Sequence, residues 1–145
     1  MSSQPSEADR PKIGVGVIIH DRRGNIIMGQ RTTSPGKGTL QLPGGHLEHS
    51  ETFASCAVRE TREETGLEVA DVRFLTATNT VFPPEEGEQR GKHYVTVFVT
   101  AVVSEGSERK APVNMEPNKC DGWEWVAWRD MWDWAGEHIA EREGE

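Results

Sequence analysis

The stretch from Leu42 to Leu67 constrains this chain more than any other. It opens Leu-Pro-Gly-Gly and runs through Glu51, Arg59-Glu60 and Glu63-Glu64 to Gly66-Leu67. Its second half reads as a helix. Ser50 or Glu51 is placed to cap the N-terminus, and Gly66 suits the left-handed position that follows a helix end. At about 100° per residue, Ala54, Ala57, Val58, Thr61 and Thr65 share one small, mostly apolar side. Glu60, Glu63 and Glu64 fall within an arc of about 100° beside it, and Glu60 and Glu64 rise side by side from adjacent turns. Three like charges so close repel, and nothing in the isolated helix compensates them. Carboxylate oxygens suit a hard divalent cation, Mg²⁺ with Mn²⁺ as a substitute. The alternative is a solvated acidic face paired with Arg59 and Arg62. Gly44-Gly45 decides for the metal: the backbone there can turn sharply and approach a ligand, so a main-chain carbonyl can join the shell. Arg59 is placed to tie the loop to the helix through a carboxylate such as Glu51.

The 145 residues make one domain with room for a core. With 24 acidic against 16 basic residues the net charge is −8, which argues against a nucleic-acid polymer as the main partner. A polyphosphate is also anionic, so an acidic protein needs metal ions to hold one. Cys56 and Cys120 are read as free thiols: Cys56 falls inside the helix, and no CxxC or His pair suggests zinc. Met1 to Pro11 has no apolar signal region, and no run approaches the roughly 18 apolar residues of a membrane span. These features predict a soluble, cytoplasmic protein that does not enter membranes. Residues 1–10 are expected to be a disordered tail before a single domain over 11–145.

Ile13 to His20 reads as a strand, Asp21 to Asn25 as a turn, and Ile26 to Arg31 as the returning strand. A short strand at Leu40 to Leu42 feeds the Gly-Gly loop. Further strands are expected at Val72–Asn79, Tyr94–Val103 and Gly122–Ala127, with a polar loop over Thr80–Lys92 and a closing helix from Trp128. Val95, Val97, Val99 and Ala101 alternate onto one face. Strands interrupted by one helix and closed by another imply a mixed sheet between helices.

The spacing Gly45, Glu51, Arg59-Glu60, Glu63-Glu64, Gly66-Leu67 resembles the Nudix box. That box marks Mg²⁺-dependent hydrolases of nucleoside diphosphates linked to another group. The resemblance extends from about Pro11 to Trp128. It takes in Gln41 to Glu48, His93-Tyr94-Val95-Thr96, Glu116-Pro117-Asn118-Lys119-Cys120 and Trp123-Glu124-Trp125-Val126. Together these are similar to the MutT-like animal nucleoside-triphosphate diphosphatases that act on thiopurine nucleotides. Thr61 departs from the aliphatic residue usual in the general box.

The resemblance implies an α+β fold, the Nudix α/β/α sandwich, with a mixed β-sheet, a central box helix and a closing C-terminal helix. It implies hydrolysis of (deoxy)nucleoside triphosphates to a monophosphate and pyrophosphate. Glu60 and Glu64 become the main Mg²⁺ ligands, Glu63 a ligand of a second ion or a positioner of water, and the Gly44 carbonyl part of the shell. The general base stays between Glu60 and Glu63, with Arg59 counted in the catalytic set. Glu116 is either an extra carboxylate for the metal or a solvated loop residue. Arg31, Leu42, Gly44 and Thr96 align with pocket-lining positions. Arg31 pairs an α-phosphate unless it is an ordinary surface arginine, and His46 contacts phosphate or base unless it is merely packed. Most of Trp123, Trp125, Trp128, Trp132 and Trp134 are expected in the core or a dimer contact, and Trp132 to Gly136 is the segment able to reach a base. A homodimer is implied.

One rival is an ADP-ribose pyrophosphatase, for which Pro83, about sixteen residues beyond the box, is a weak pointer. The other is a non-catalytic nucleotide-binding Nudix module, against which the presence of Glu60, Glu63 and Glu64 argues.

Overall fold

The computed structural model describes residues 4–31, 39–107 and 110–144. A 3-10 turn, Glu7–Asp9, is closed by a reciprocal cap between Ser6 and Asp9, and Asp9 pairs with Arg90. The strands are β1 (Lys12–His20), β2 (Asn25–Arg31), β3 (Leu40–Gln41), β4 (Gly44–His46), β5 (Val69–Phe82), β6 (Lys92–Val103) and β7 (Cys120–Ala127). The helices are α1 (Phe53–Thr65) and α2 (Trp128–Glu143).

Among the described residues seven strands form one sheet, ordered β3-β2-β1-β6-β5, with β4 beside β1 and β7 beside β2. β1 and β6 run parallel from Lys12↔Tyr94 to His20↔Val102, while the other pairs are antiparallel, so the sheet is mixed as expected. Its two-residue alternation sorts side chains by face. Val15, Val17 and Ile19 from β1 and Val97, Val99 and Ala101 from β6 meet Cys56 and Ala57 of α1 in the core. Each fully buried aliphatic chain there stabilises the fold by about 1.5–3 kcal/mol before entropy is counted. α2 follows β7 without a break, and most of its described residues are exposed. The mixed sheet, central helix and closing helix match the fold read from the sequence. Among the described residues, no helix is long and apolar enough to cross a membrane.

Several details differ from the sequence reading. The cap of α1 is Thr52, whose side chain accepts from the Ser55 N–H; Ser50 cannot serve, because its φ is 63°. Glu51 bonds the Glu48 N–H instead, which leaves it free to hold Arg59. Cys56, rather than Ala54, completes the buried side of α1 with Ala57, Thr61 and Thr65. At the other end Gly66 adopts φ 70°, the left-handed conformation expected of it. The loop expected over Thr80–Lys92 is shorter, because β5 and β6 remain paired out to Phe82↔Lys92. β5 also starts earlier, at Val69, with register shifts between Ala70 and Arg73 and between Phe74 and Thr76 that absorb the extra residues.

Candidate active site

β1, β4, α1, β6 and the loop before β7 enclose a cleft of about 810 Å³. The alternation that sends Val15 and Val17 inward leaves Gly14 and Gly16 on the opposite face, opposite Thr96 and Phe98 of β6. All four line the cleft, so two missing side chains clear its floor.

One wall is α1. Arg59 is its hub: Nε and Nη2 donate to the two carboxylate oxygens of Glu51 at 2.7 and 3.0 Å. Nη2 also donates to the His46 carbonyl at 3.1 Å, which ties helix to loop. Nη1 donates to Glu60 at 2.8 Å and to Glu63 at 3.3 Å. The like charges of Glu60 and Glu63 therefore do find compensation within the helix, contrary to the expectation for an isolated one. The fork holds the Glu51 carboxyl down to about 2.

Glu64 is different. Burial, then the charges of Glu60 and Glu116, raise its pKa to about 8, against a smaller lowering by the Gly44 N–H that bonds it. Glu116 reaches this place because its loop is fastened to the end of α1. Val113 N–H donates to the Thr65 carbonyl at 2.9 Å and Met115 N–H to the Glu64 carbonyl at 3.1 Å, two of the carbonyls a helix end leaves unpaired. Gly45 has a steric role: a Cβ there would overlap the Glu60 carboxylate, which would have to move from the position Arg59 holds it in.

Among the described residues, no three His, Cys, Asp or Glu side chains stand ready-made as a metal-ligand set. The donor chemistry nonetheless fits a hard divalent cation. Glu60, Glu64 and Glu116 are close enough to raise Glu64 together, all offer oxygen, and Mg²⁺ keeps several waters beside one or two carboxylates. Cys56 fits no such role: burial, then Glu51, push its thiol up to about 12, and its Sγ lies against the His46 carbonyl.

Of the residues singled out in the sequence, Leu42, Gly44, His46, Arg59, Glu60, Glu63, Glu64, Thr96 and Glu116 all line the cleft. Arg31 ends β2, and its side chain lies outside the described residues. Sequence reasoning missed Phe82, Tyr94, Phe98 and Lys119, which also line it. Tyr94 stacks on His46, with ring centroids 5.7 Å apart and planes 9° from parallel, and meets Phe82 edge-on at 6.3 Å. The signal was present in β6: if Val95, Val97 and Val99 face one way, Tyr94, Thr96 and Phe98 face the other. Trp123 lines the cleft while packing against the core, whereas Trp128, Trp132 and Trp134 of α2 are exposed.

The Arg-anchored loop and paired glutamates lie within a longer match, for the model of the NUDIX domain fits residues 10–142. The chain belongs to the Nudix family. An ADP-ribose pyrophosphatase of Methanocaldococcus jannaschii is 36% identical over 101 residues, 70% of this chain and 56% of that protein. The Nudix chain therefore spans little more than half of that relative. An RNA pyrophosphohydrolase of Hydrogenovibrio crunogenus is 28% identical over 135 residues, 87% of this chain and 78% of the relative. Among solved structures, a MutT Nudix hydrolase from Burkholderia pseudomallei superimposes with a TM-score of 0.66 at 25% identity, covering 81% of this chain and 84% of its own.

Proposed function

We propose that this Nudix protein is a pyrophosphohydrolase that splits (deoxy)nucleoside triphosphates into a monophosphate and pyrophosphate with the help of Mg²⁺. The observation that carries the reading is the acid end of the cleft: Glu60, Glu64 and Glu116 crowd together, and burial makes Glu64 reluctant to ionise without a cation. Glu60, Glu64 and Glu116 would hold the ion, with Glu63 and the Gly44 carbonyl as further donors. Bound there, Mg²⁺ would neutralise phosphate charge and acidify a water. Arg59 fixes the Glu60 carboxylate in place, and Glu60 or Glu63 accepts the proton as water attacks phosphorus and the bond between the α- and β-phosphate groups breaks. The aromatic end, with Tyr94, Phe82 and His46, offers ring faces to a base. The same reading includes a two-fold dimer, supported by apolar side chains exposed on α2 and β5. The finer candidate within that reading is the thiopurine-acting branch, on the sequence segments His93–Thr96 and Glu116–Cys120 alone.

ADP-ribose is the second reading, favoured by the 36% identity to an ADP-ribose pyrophosphatase. Dinucleoside polyphosphates and RNA 5′ ends belong in the same comparison, although the net charge of −8 disfavours long RNA. A panel of dNTPs, NTPs, ADP-ribose, dinucleoside polyphosphates and capped RNA, with and without Mg²⁺, tests the reading. From dGTP the products should be dGMP and pyrophosphate. Formation of dGDP and phosphate would overturn the proposal, and faster turnover of ADP-ribose than of every triphosphate would promote the second reading.

A further inference from the structure

The cleft is acidic, yet the ligand proposed for it is a polyanion. Among the described residues lining it, the full cations are Arg59 and Lys119. Arg59 is committed to Glu51, Glu60, Glu63 and the His46 carbonyl. Lys119 is held differently. Its backbone N–H donates to the Glu116 carbonyl at 3.0 Å, closing a turn through Pro117 and Asn118. That turn is braced where Asn114 Nδ2 donates to the Cys120 carbonyl at 2.8 Å. The backbone is thus fixed while the side chain stays 61% exposed, with Nζ 2.7 Å from Glu116 Oε2. Glu116 first, and then the charges of Glu64 and Glu60, favour the protonated ammonium.

We propose that Lys119 is a substrate-binding residue with two alternative partners, the Glu116 carboxylate in the metal-free protein and a phosphate oxygen of the bound nucleotide when a divalent cation takes that carboxylate. This rests on the metal-assisted reading above. A lysine ammonium suits such an exchange, being a compact charge with three rotatable donors on a flexible stem. An arginine already locked in a bidentate pair, as Arg59 is, does not. The consequence is a pair of opposite effects. As a competitor for the carboxylates Lys119 weakens cation binding, and as a phosphate ligand it strengthens nucleotide binding.

Two binding measurements on the full chain test this without turnover. Mn²⁺ is titrated into substrate-free protein and followed by electron paramagnetic resonance. A triphosphate with a methylene bridge between its α- and β-phosphorus atoms is titrated at saturating Mg²⁺ by calorimetry. Lys119→Ala should bind Mn²⁺ about three-fold more tightly, as expected for loss of an exposed ion pair. It should bind the nucleotide about ten-fold more weakly, as expected for loss of one charged hydrogen bond. Lys119→Arg should bring the nucleotide affinity most of the way back. If Lys119→Ala weakens both ligands, the lysine only braces its loop and the proposal is overturned. Unchanged nucleotide affinity overturns it equally. Wild-type protein that fails to bind Mn²⁺ would overturn the metal-assisted reading itself, and this inference with it.

Discussion

At the scale of single residues, the chemistry of α1 was mostly legible and its packing was not. Glu60, Glu63 and Glu64 could be placed on one arc by angle alone, but the sequence did not show which of them would lose most of its water. That depends on Val113 and Met115 closing over the helix end, a contact some fifty residues distant in the chain. Glu64 makes the difference measurable. Its pKa of about 8 lies above the ordinary 4.5, so between those values the folded protein holds a proton that the unfolded chain has released. The stability this group contributes is complete below about 4.5 and is lost as pH rises through about 8. In EDTA, wild-type Tm measured from pH 5 to pH 9 should therefore fall more steeply than that of Glu64→Gln. Mg²⁺ affinity should tighten over the same interval, because the cation displaces that proton. Thr61 offers a second test. It is fully buried, and its hydroxyl has no hydrogen-bond partner among the described residues, so Thr61→Val keeps the shape and removes an unsatisfied group. Urea unfolding should show a gain of about 1 kcal/mol.

At the scale of elements, both ends of α1 carried signals, and the C-terminal one was the clearer. Gly66 has few competitors for a left-handed residue, whereas the sequence reading placed the cap at Ser50 or Glu51 and missed Thr52. The choice fell to Thr52 because Glu51 is drawn to Arg59 and Ser50 to a positive φ. Thr52→Ala should cost about 1 kcal/mol in urea unfolding. A Glu51→Ala change, by contrast, should disturb Arg59 and lower activity as well. The length of the β5–β6 hairpin was under-read for a different reason. The alternation of β5 breaks at its two register shifts, and the side chains of most of the strand are exposed on both faces, so no buried stripe marks its extent. β6, with one face in the core, was read almost to its ends.

At the scale of the whole molecule, the layer order followed from the alternation of strands and helices, but the cleft did not. It depends on which face of β1 and β6 α1 leaves open. Assembly belongs to this scale too. Trp132 is 66% exposed, and Phe74 and Val81 on edge strand β5 are each 67% exposed, more apolar surface than a lone acidic chain is expected to present. Size exclusion coupled to light scattering should give twice the mass of one chain at micromolar concentration. The mass of a single chain across a dilution series would remove the dimer from the account.

The central claim is that a divalent cation held at Glu60 and Glu64 of α1 makes this cleft a pyrophosphohydrolase. Glu64→Gln tests it most directly, since it preserves shape and removes the charge the cation needs. Mg²⁺-dependent release of pyrophosphate from nucleoside triphosphates should fall roughly hundredfold or more, with an unchanged circular-dichroism spectrum. Turnover near that of the wild type, with the same spectrum and the same Mg²⁺ requirement, would contradict the claim.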